Sequence, residues 1–319
     1  MEVSDIPLAA WAVFFALLGL LLIVELAAFP RAEHIVRLRE AEALAVLWVG
    51  AAVVVGLAIA AWLGSEAGVK YATAYLKSLD LGHVLVFAVV FEAFSVPRQD
   101  ERRVLFWGVL VAIPVRLVLI LAGAAAVAAY TWVVPLFGVF LVASAVRIAR
   151  VPDFHGMVRH DAERISRRLT RVGGHLPAVR LQSDRFIARV DGRLVITPLL
   201  LALVAVELAD LFFSVDSLPG LYAVSDEPFL LFAANILATI ALRALYFVAE
   251  NFQDRYRFWR EGLIATLVFV GAKMILDGVI YVDPLLSLAV VGGIVGLTLV
   301  ASWLWPGGPP GGSGPTSPR

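Results

Sequence analysis

Three carboxylates lie within ten residues of one another in a stretch that is otherwise apolar enough to cross a membrane. Glu207, Asp210 and Asp216 belong to the run from Val206 to Gly220. A carboxylate inside a bilayer is costly, so such side chains face a bundle interior, an ion path or an opposite charge. Other segments of the chain must therefore surround this one.

The composition agrees with a helical membrane protein. Hydrophobic residues make up 61% of the chain and charged residues 16%, whereas soluble domains are about half apolar and about a quarter charged. Lys+Arg and Asp+Glu both number 26, with no basic domain for nucleic acid. The absence of cysteine excludes disulfides, thiolate metal sites and cysteine catalysis. No catalytic motif is visible, so we expect neither an enzyme nor a prosthetic group.

The apolar runs predict an all-α polytopic membrane protein of about nine transmembrane helices. The third run is short, and its apolar pattern extends back toward Tyr71. The predicted spans cover residues 8–29, 43–63, 80–96, 104–126, 130–149, 195–217, 228–249, 261–279 and 284–304.

The distribution of arginine predicts the orientation. Arginines follow predicted spans one, three, five and seven, whereas the loops on the other side hold only Lys70 and Lys77. The positive-inside rule then places the N-terminus outside and the C-terminus in the cytoplasm. We expect a transmembrane domain over residues 1–305, in the inner membrane of a bacterium, and a disordered cytoplasmic tail over 306–319.

An Arg-rich cytoplasmic loop over residues 150–193 separates spans five and six, and offers a docking surface for a protein partner. Within it, Ala162–Val172 is basic with one apolar side, so we expect it along the lipid headgroups. Residues 186–196 predict a small hairpin with a primed turn at Asp191-Gly192. The loop histidines, His155, His160 and His175, are expected to be solvated.

Spans three to five resemble spans six to eight. In each set an Asp-Glu pair precedes a helix that contains an arginine, Arg116 in the first set and Arg243 in the second. Each unit has three spans, so the two copies must insert with opposite orientation. Such inverted repeats, with a polar site near the midplane, characterise many secondary transporters.

The acids of span six fall at depth. Glu207 is ten residues after Thr197, which is about 15 Å along a helix and near the midplane. Asp210 follows on the same face. Asp216 either points to the opposite side of a continuous helix, or the helix unwinds before Pro219-Gly220.

Carboxylate, amide and hydroxyl oxygens suit a hard divalent cation such as Mg(II) or Mn(II). Asn235 of span seven is a further candidate ligand. Alternatively, Glu207 and Asp210 form buried ion pairs with basic residues at depth. Those structural or gating charges are Arg116, Arg243 and Lys273. Further candidate ligands are Asp80, Glu92 and Glu25.

On these residues the chain resembles the TerC family of integral membrane proteins, named for tellurium resistance and related to manganese exporters. The resemblance runs over about residues 8–304 and implies a nine-helix fold, Mn(II) export for several members, and Ser217 as a further part of the acidic motif. The matching motifs are Thr197-Pro198-Leu199, Phe213–Pro219, Asp226–Phe229, Leu242–Phe247 and Val270–Met274, with Val96-Pro97, Phe87 and Arg102–Gly108 in the first half.

The first half departs from the family pattern. Where members carry glutamate, aspartate and asparagine, this chain has Leu76, Gly82 and His83. The sequence therefore predicts efflux of a divalent cation, with Mn(II) favoured, through a site rebuilt on the second half. The alternatives are a non-transporting membrane scaffold of a tellurium or metal-stress resistance complex, and a transporter for another substrate.

Overall fold

The computed structural model describes residues 6–28, 35–94, 96–128, 132–150, 186–190, 193–253, 256, 258–276 and 282–305. The predicted tail, and all of the Arg-rich loop between residues 151 and 185 with its histidines and basic segment, lie outside these residues. The helices are α1 (Leu8–Ala28), α2 (Leu38–Leu63), α3 (Ser65–Ser78), α4 (Gly82–Ala93), α5 (Arg98–Ala128), α6 (Val133–Arg150), α7 (Pro198–Tyr222), α8 (Pro228–Gln253), α9 (Trp259–Leu276) and α10 (Pro284–Leu304), and the strands are β1 (Ile187–Val190) and β2 (Arg193–Ile196).

The prediction of an all-helical membrane bundle is confirmed. Each of the nine predicted spans coincides with a helix, except that the third corresponds to the pair α3 and α4. Among the described residues, six segments are long and apolar enough to cross a membrane. They are Leu8–Ala27, Leu38–Leu63, Ser65–Phe91, Arg98–Gly123, Pro228–Asn251 and Leu286–Leu304.

The third predicted span is interrupted. α3 ends at Ser78 and α4 begins at Gly82. The carboxylate of Asp80 accepts a hydrogen bond from the backbone N–H of Gly82 at 2.8 Å, which satisfies one of the amides that the start of a helix leaves without a partner. This break separates α3 from α4, and the residues that flank it, Ser78 and His83, are buried.

α8 is the central helix of the bundle. The stretch Leu230–Ala234 is fully buried, because α2, α3, α4 and α5 all pack against this helix. A helix that is apolar on every side is stable only inside a bundle. The polar side chains of α8, which include Asn235 and Arg243, are therefore held in the interior.

α6 and α9 form the most extensive helix pair. Glycines allow their backbones to approach closely: a Cβ at Gly138 would lie 2.6 Å from the carbonyl oxygen of Gly271, and one at Gly271 would lie 2.7 Å from that of Gly138. In a lipid environment the hydrophobic effect does not bring helices together, so small residues that allow close van der Waals packing stabilise such crossings.

The predicted hairpin before α7 is present in its strands. β1 and β2 pair antiparallel, with Ile187 opposite Ile196 and Val190 opposite Arg193. The turn residues lie outside the described part of the chain. Phe186 continues the contact, because its carbonyl oxygen accepts from the Thr197 hydroxyl at 2.9 Å, so the hairpin anchors the start of α7.

Candidate cation site

The start of α7 is fixed by its cap. The Thr197 hydroxyl accepts from the N–H of Leu200 at 3.4 Å, and Pro198 occupies the first helical position. Glu207 and Asp210 consequently lie near the middle of the helix. α7 continues through Pro219 to Tyr222, so the helix does not unwind before Pro219-Gly220, which was one of the two alternatives for Asp216. The turn still closes there, because the carbonyl oxygen of Pro219 accepts from Ala223 at 3.2 Å.

Asp210 is held by two arginines. Arg116 of α5 donates to both carboxylate oxygens, from Nη2 at 2.8 Å and from Nε at 3.3 Å, which is the strong two-point geometry of guanidinium and carboxylate. Arg243 of α8 places Nη2 at 3.9 Å from the second oxygen. The Asp210 side chain is only 4% exposed, so these cations supply the charge compensation that burial demands.

Glu207 is paired with Arg243. The Nη2 atom of Arg243 donates to Glu207 Oε1 at 2.9 Å, and its Nη1 donates to the carbonyl oxygen of Leu105 at 2.8 Å. Gly108 on α5 makes room for this pair: a Cβ there would lie 2.3 Å from Glu207 Oε1 and 2.4 Å from Arg243 Nη1. The glycine of the predicted Arg102–Gly108 motif therefore has a packing role.

Asn235 completes what we call the central network, formed by Glu207, Asp210, Asn235, Arg116 and Arg243. Arg116 Nη1 donates to Asn235 Oδ1. The amide nitrogen of Asn235 donates to the hydroxyl of Ser78 at 3.1 Å, which joins the network to the end of α3. Two carboxylates face two guanidinium groups, so these five side chains have no net charge.

His83 also reaches the central network, although sequence reasoning did not select it as a ligand. Its Nε2 lies 3.6 Å from Asp210 Oδ1, and its side chain is 6% exposed. Ser78 was missed as well. Both flank the break between α3 and α4, and the available signal was that they occupy the first-half stretch aligned with the family's acidic motif.

Asp216 and Ser217 lie apart from this network. The first accepts from Lys273 Nζ of α9 at 3.0 Å, and the hydroxyl of the second donates to the carbonyl oxygen of Ser214 at 3.2 Å. Of the two alternatives for Asp216, the structure has the first: α7 is continuous, and Asp216 lies on a different side of the helix from Glu207 and Asp210. The sequence prediction therefore grouped residues that the helix separates.

The three remaining predicted acids have separate surroundings. Asp80 caps α4, as described above. Glu25 accepts from the indole N–H of Trp48 at 2.9 Å. Glu92 belongs to α4, but its side chain lies outside the described residues.

At Gly82 a Cβ would lie 2.9 Å from Asp80 Oδ1 and 3.1 Å from Val270 Cγ2, so an acid at this position would disturb the packing.

A second polar cluster connects the start of α5 to the end of α8. The Tyr246 hydroxyl donates to Glu101 Oε2 at 2.8 Å, and Arg98 Nε lies 3.2 Å from Glu250 Oε1. Sequence reasoning used Glu101 only as part of the repeat. Because both glutamates are buried, this cluster fixes the two helices that carry Arg116 and Arg243.

The central network can bind charge, and most of its polar atoms bond to one another, but the buried Nε of Arg243 has no hydrogen-bond partner among the described residues. Within the described ranges, no group of three or more histidine, cysteine, aspartate or glutamate side chains converges as a metal site would require. The carboxylate oxygens are instead occupied by guanidinium groups. The predicted ligand set thus remains a prediction. The alternative pairing of Glu207 and Asp210 with Arg243 and Arg116 is observed, whereas Lys273 pairs with Asp216.

The fold and this buried network define a polytopic helical membrane protein with compensated charges at its centre. Comparison with known proteins gives its family. The model of the integral membrane protein TerC family matches residues 63–306, and the chain belongs to that family. No solved structure matches it.

Curated relatives cover nearly the whole chain. The "Uncharacterized membrane protein STKORF319" of Myxococcus xanthus is 35% identical over 296 residues, which are 92% of this chain and 91% of that protein. The "Putative membrane-bound redox modulator Alx" of Escherichia coli strain K12 is 32% identical over 308 residues, 92% of this chain and 94% of that protein. Both relatives are named as membrane proteins, which supports the membrane assignment.

Proposed function

We propose that this protein exports a divalent metal cation, with Mn(II) as the favoured cargo, by means of Glu207 and Asp210. The observation that carries the proposal is the central network itself. Two carboxylates lie halfway along a helix inside a membrane bundle, each paired with an arginine. Ionisable residues at such depth are costly to retain, and in transport proteins they mark ion pathways.

In this mechanism Arg116 and Arg243 take the place of the cargo in the unloaded protein. A divalent cation that binds the acids displaces guanidinium groups from Asp210. Each arginine still has another hydrogen-bond acceptor after it is displaced from Asp210. Arg116 keeps Asn235, and Arg243 keeps the carbonyl oxygen of Leu105. Lys273 forms an ion pair with Asp216 that holds α7 against α9.

A small cavity supports an approach to this network. It has a volume of about 20 Å³ and is lined by Glu25, Arg102 and Arg243 among others. A space of about 10–15 Å³ is enough for one water molecule. We propose that Glu25 marks the cytoplasmic entry, because it lies on the wall of this cavity and Arg243 connects the cavity to Glu207.

The proposed topology has an inverted repeat, with the N-terminus outside and the C-terminus in the cytoplasm of a bacterium, in its inner membrane. Arg116 and Arg243 hold corresponding positions in the two proposed repeats, and both reach Asp210. That convergence supports alternating access around one site.

The Alx relatives carry a redox name. Because this chain has no cysteine, we propose that any redox effect arises indirectly, through cellular metal content.

The test measures cellular manganese in a manganese-sensitive bacterium. Cells that express the wild type should hold less manganese than cells with an empty vector, and Glu207→Gln should abolish the difference. Glu66→Gln is the matched control, because Glu66 is 78% exposed and pairs only locally with Lys70. Wild-type manganese content in cells with Glu207→Gln would refute the site assignment.

One observation favours the second candidate, a non-transporting scaffold of a tellurium or metal-stress resistance complex. In the described part of the chain, the central acids are already compensated and no three-ligand metal group is found. On this proposal the Arg-rich loop over 150–193 docks a cytoplasmic partner. Deletion of the loop would then remove protection against metal stress, whereas Glu207→Gln would preserve it, which is the opposite of the result expected for an exporter.

A further inference from the structure

His83 has a fixed ring and a defined tautomer. Its Nδ1 lies 3.0 Å from the backbone carbonyl oxygen of Asp80. A carbonyl oxygen is only an acceptor, so Nδ1 must carry the hydrogen. In the neutral imidazole the free electron pair is then on Nε2. Phe213 of α7 holds the ring in place, stacked at 4.0 Å between ring centroids.

The free side of this ring points into the central network. Nε2 is buried and has no hydrogen-bond partner within the described residues. It faces Asp210 Oδ1 across 3.6 Å. Two electron-pair donors aimed at one another in a low-dielectric interior are unfavourable by themselves. The same arrangement is a two-point receptor for a cation, because a carboxylate oxygen and an imidazole nitrogen are both metal ligands.

We propose that His83 Nε2 is a ligand for the transported cation and sets the cation preference of this protein. The proposal rests on the proposed function, in which Asp210 supplies the carboxylate. Metal–nitrogen and metal–oxygen bonds are about 2.0–2.2 Å long, so one ion can bond both atoms across the 3.6 Å gap. An imidazole ligand favours Ni(II) and Zn(II), whereas Mg(II), Ca(II) and Mn(II) prefer oxygen ligands.

The surrounding cations can yield to such an ion. Arg116 donates to Asp210 Oδ1, the oxygen that faces His83, and it retains Asn235 as an acceptor when it leaves that oxygen. Arg243 is farther from Asp210, at 3.9 Å, and is bonded to Glu207. In the loaded site, Asp210 Oδ1 and His83 Nε2 both bond the ion. In the unloaded network, the same two atoms face each other.

The test uses the purified full chain in vesicles and measures Mn(II) flux with Ni(II), Zn(II) or Mg(II) as competitors. In the wild type Ni(II) and Zn(II) should compete far better than Mg(II). His83→Asn replaces the nitrogen ligand with an amide oxygen and should weaken competition by Ni(II) and Zn(II) at least about tenfold, while competition by Mg(II) remains. Thr266→Val is the control, because Thr266 is a buried polar residue bonded only within α9 to Gly262.

The outcomes separate the two proposals. If the wild type carries no divalent cation, the proposed function fails and this inference fails with it. If the wild type carries Mn(II) and His83→Asn keeps the preference for Ni(II) over Mg(II), the inference alone is overturned. Pulsed EPR of Mn(II) bound to the wild type gives a test that needs no variant: a directly bonded imidazole nitrogen supports the proposal, and a spectrum without nitrogen coupling overturns it.

Discussion

The two elements that meet at the central network reach it in different ways. α7 is continuous over 25 residues and passes through Pro219 without a break. The first-half pair that meets it, α3 and α4, is interrupted between Ser78 and Gly82. The sequence left open an unwound helix in the second half, where Pro and Gly occur, but the interruption is in the first half.

The difference assigns separate roles to the two halves. The continuous helix supplies charge, through Glu207 and Asp210, with its backbone hydrogen bonds kept inside the helix. The interrupted pair supplies neutral groups from the ends of its helices, namely the Ser78 hydroxyl and the His83 ring. First-half acids are therefore unnecessary for charge balance, because the two guanidinium groups already match the two second-half carboxylates.

The largest effect is expected from removal of charge on the continuous helix. Asp210→Asn leaves Arg116 and Arg243 with one carboxylate between them in the bundle interior. Breaking a buried ion pair from one side costs about 3–5 kcal/mol, so the thermal unfolding temperature of the purified protein in detergent should fall clearly. The double variant Asp210→Asn with Arg116→Gln should recover part of the loss, because it restores charge balance.

Asp226→Asn is the matched control for this change. Asp226 is exposed between α7 and α8, and substitutions at such positions alter stability by only about 0.5 kcal/mol. Wild-type unfolding of Asp210→Asn would contradict the view that the central network stabilises the bundle. It would leave the acid with a role in binding cargo alone.

Much of this fold could be predicted from the sequence, because apolar length alone locates helices in a membrane. The shared face of Glu207 and Asp210 followed from helical periodicity, counted from a helix that enters the membrane near Thr197. The partners of the acids could not be chosen, since Arg116, Arg243 and Lys273 were equally available until packing separated them.

The break in the first half could not be predicted for a related reason. Neither Pro nor Gly lies between Ser78 and Leu81, so the local signal was weak. The interruption depends on the Asp80 cap and on contacts around Gly82 with Val270. The contact with Val270 joins residues far apart in the sequence, and a propensity argument does not include it.

A smaller effect is expected at this break. Asp80→Ala removes the oxygen that accepts from Gly82 N–H and should cost about 1 kcal/mol of unfolding free energy, as loss of a helix cap does. Asp80→Asn keeps an oxygen in the same place and should unfold close to the wild type. Thermal unfolding of both variants, together with Mn(II) flux, separates a cap from a cation ligand. Loss of flux in stable Asp80→Asn would show that the carboxylate charge matters.

The smallest effect is expected at Pro219, where the comparison of the two halves can be tested directly. Pro219→Ala restores a backbone N–H that can bond within α7, which contributes about 0.5–1.5 kcal/mol, but it also frees the unfolded chain by about 0.4–1 kcal/mol. The two contributions nearly cancel, so stability should change by less than about 1 kcal/mol. Because the helix is already continuous there, Mn(II) flux should also be unchanged. A stable variant with reduced flux would show that α7 must unwind during transport, and the second half would then share the interruption that the static structure assigns to the first.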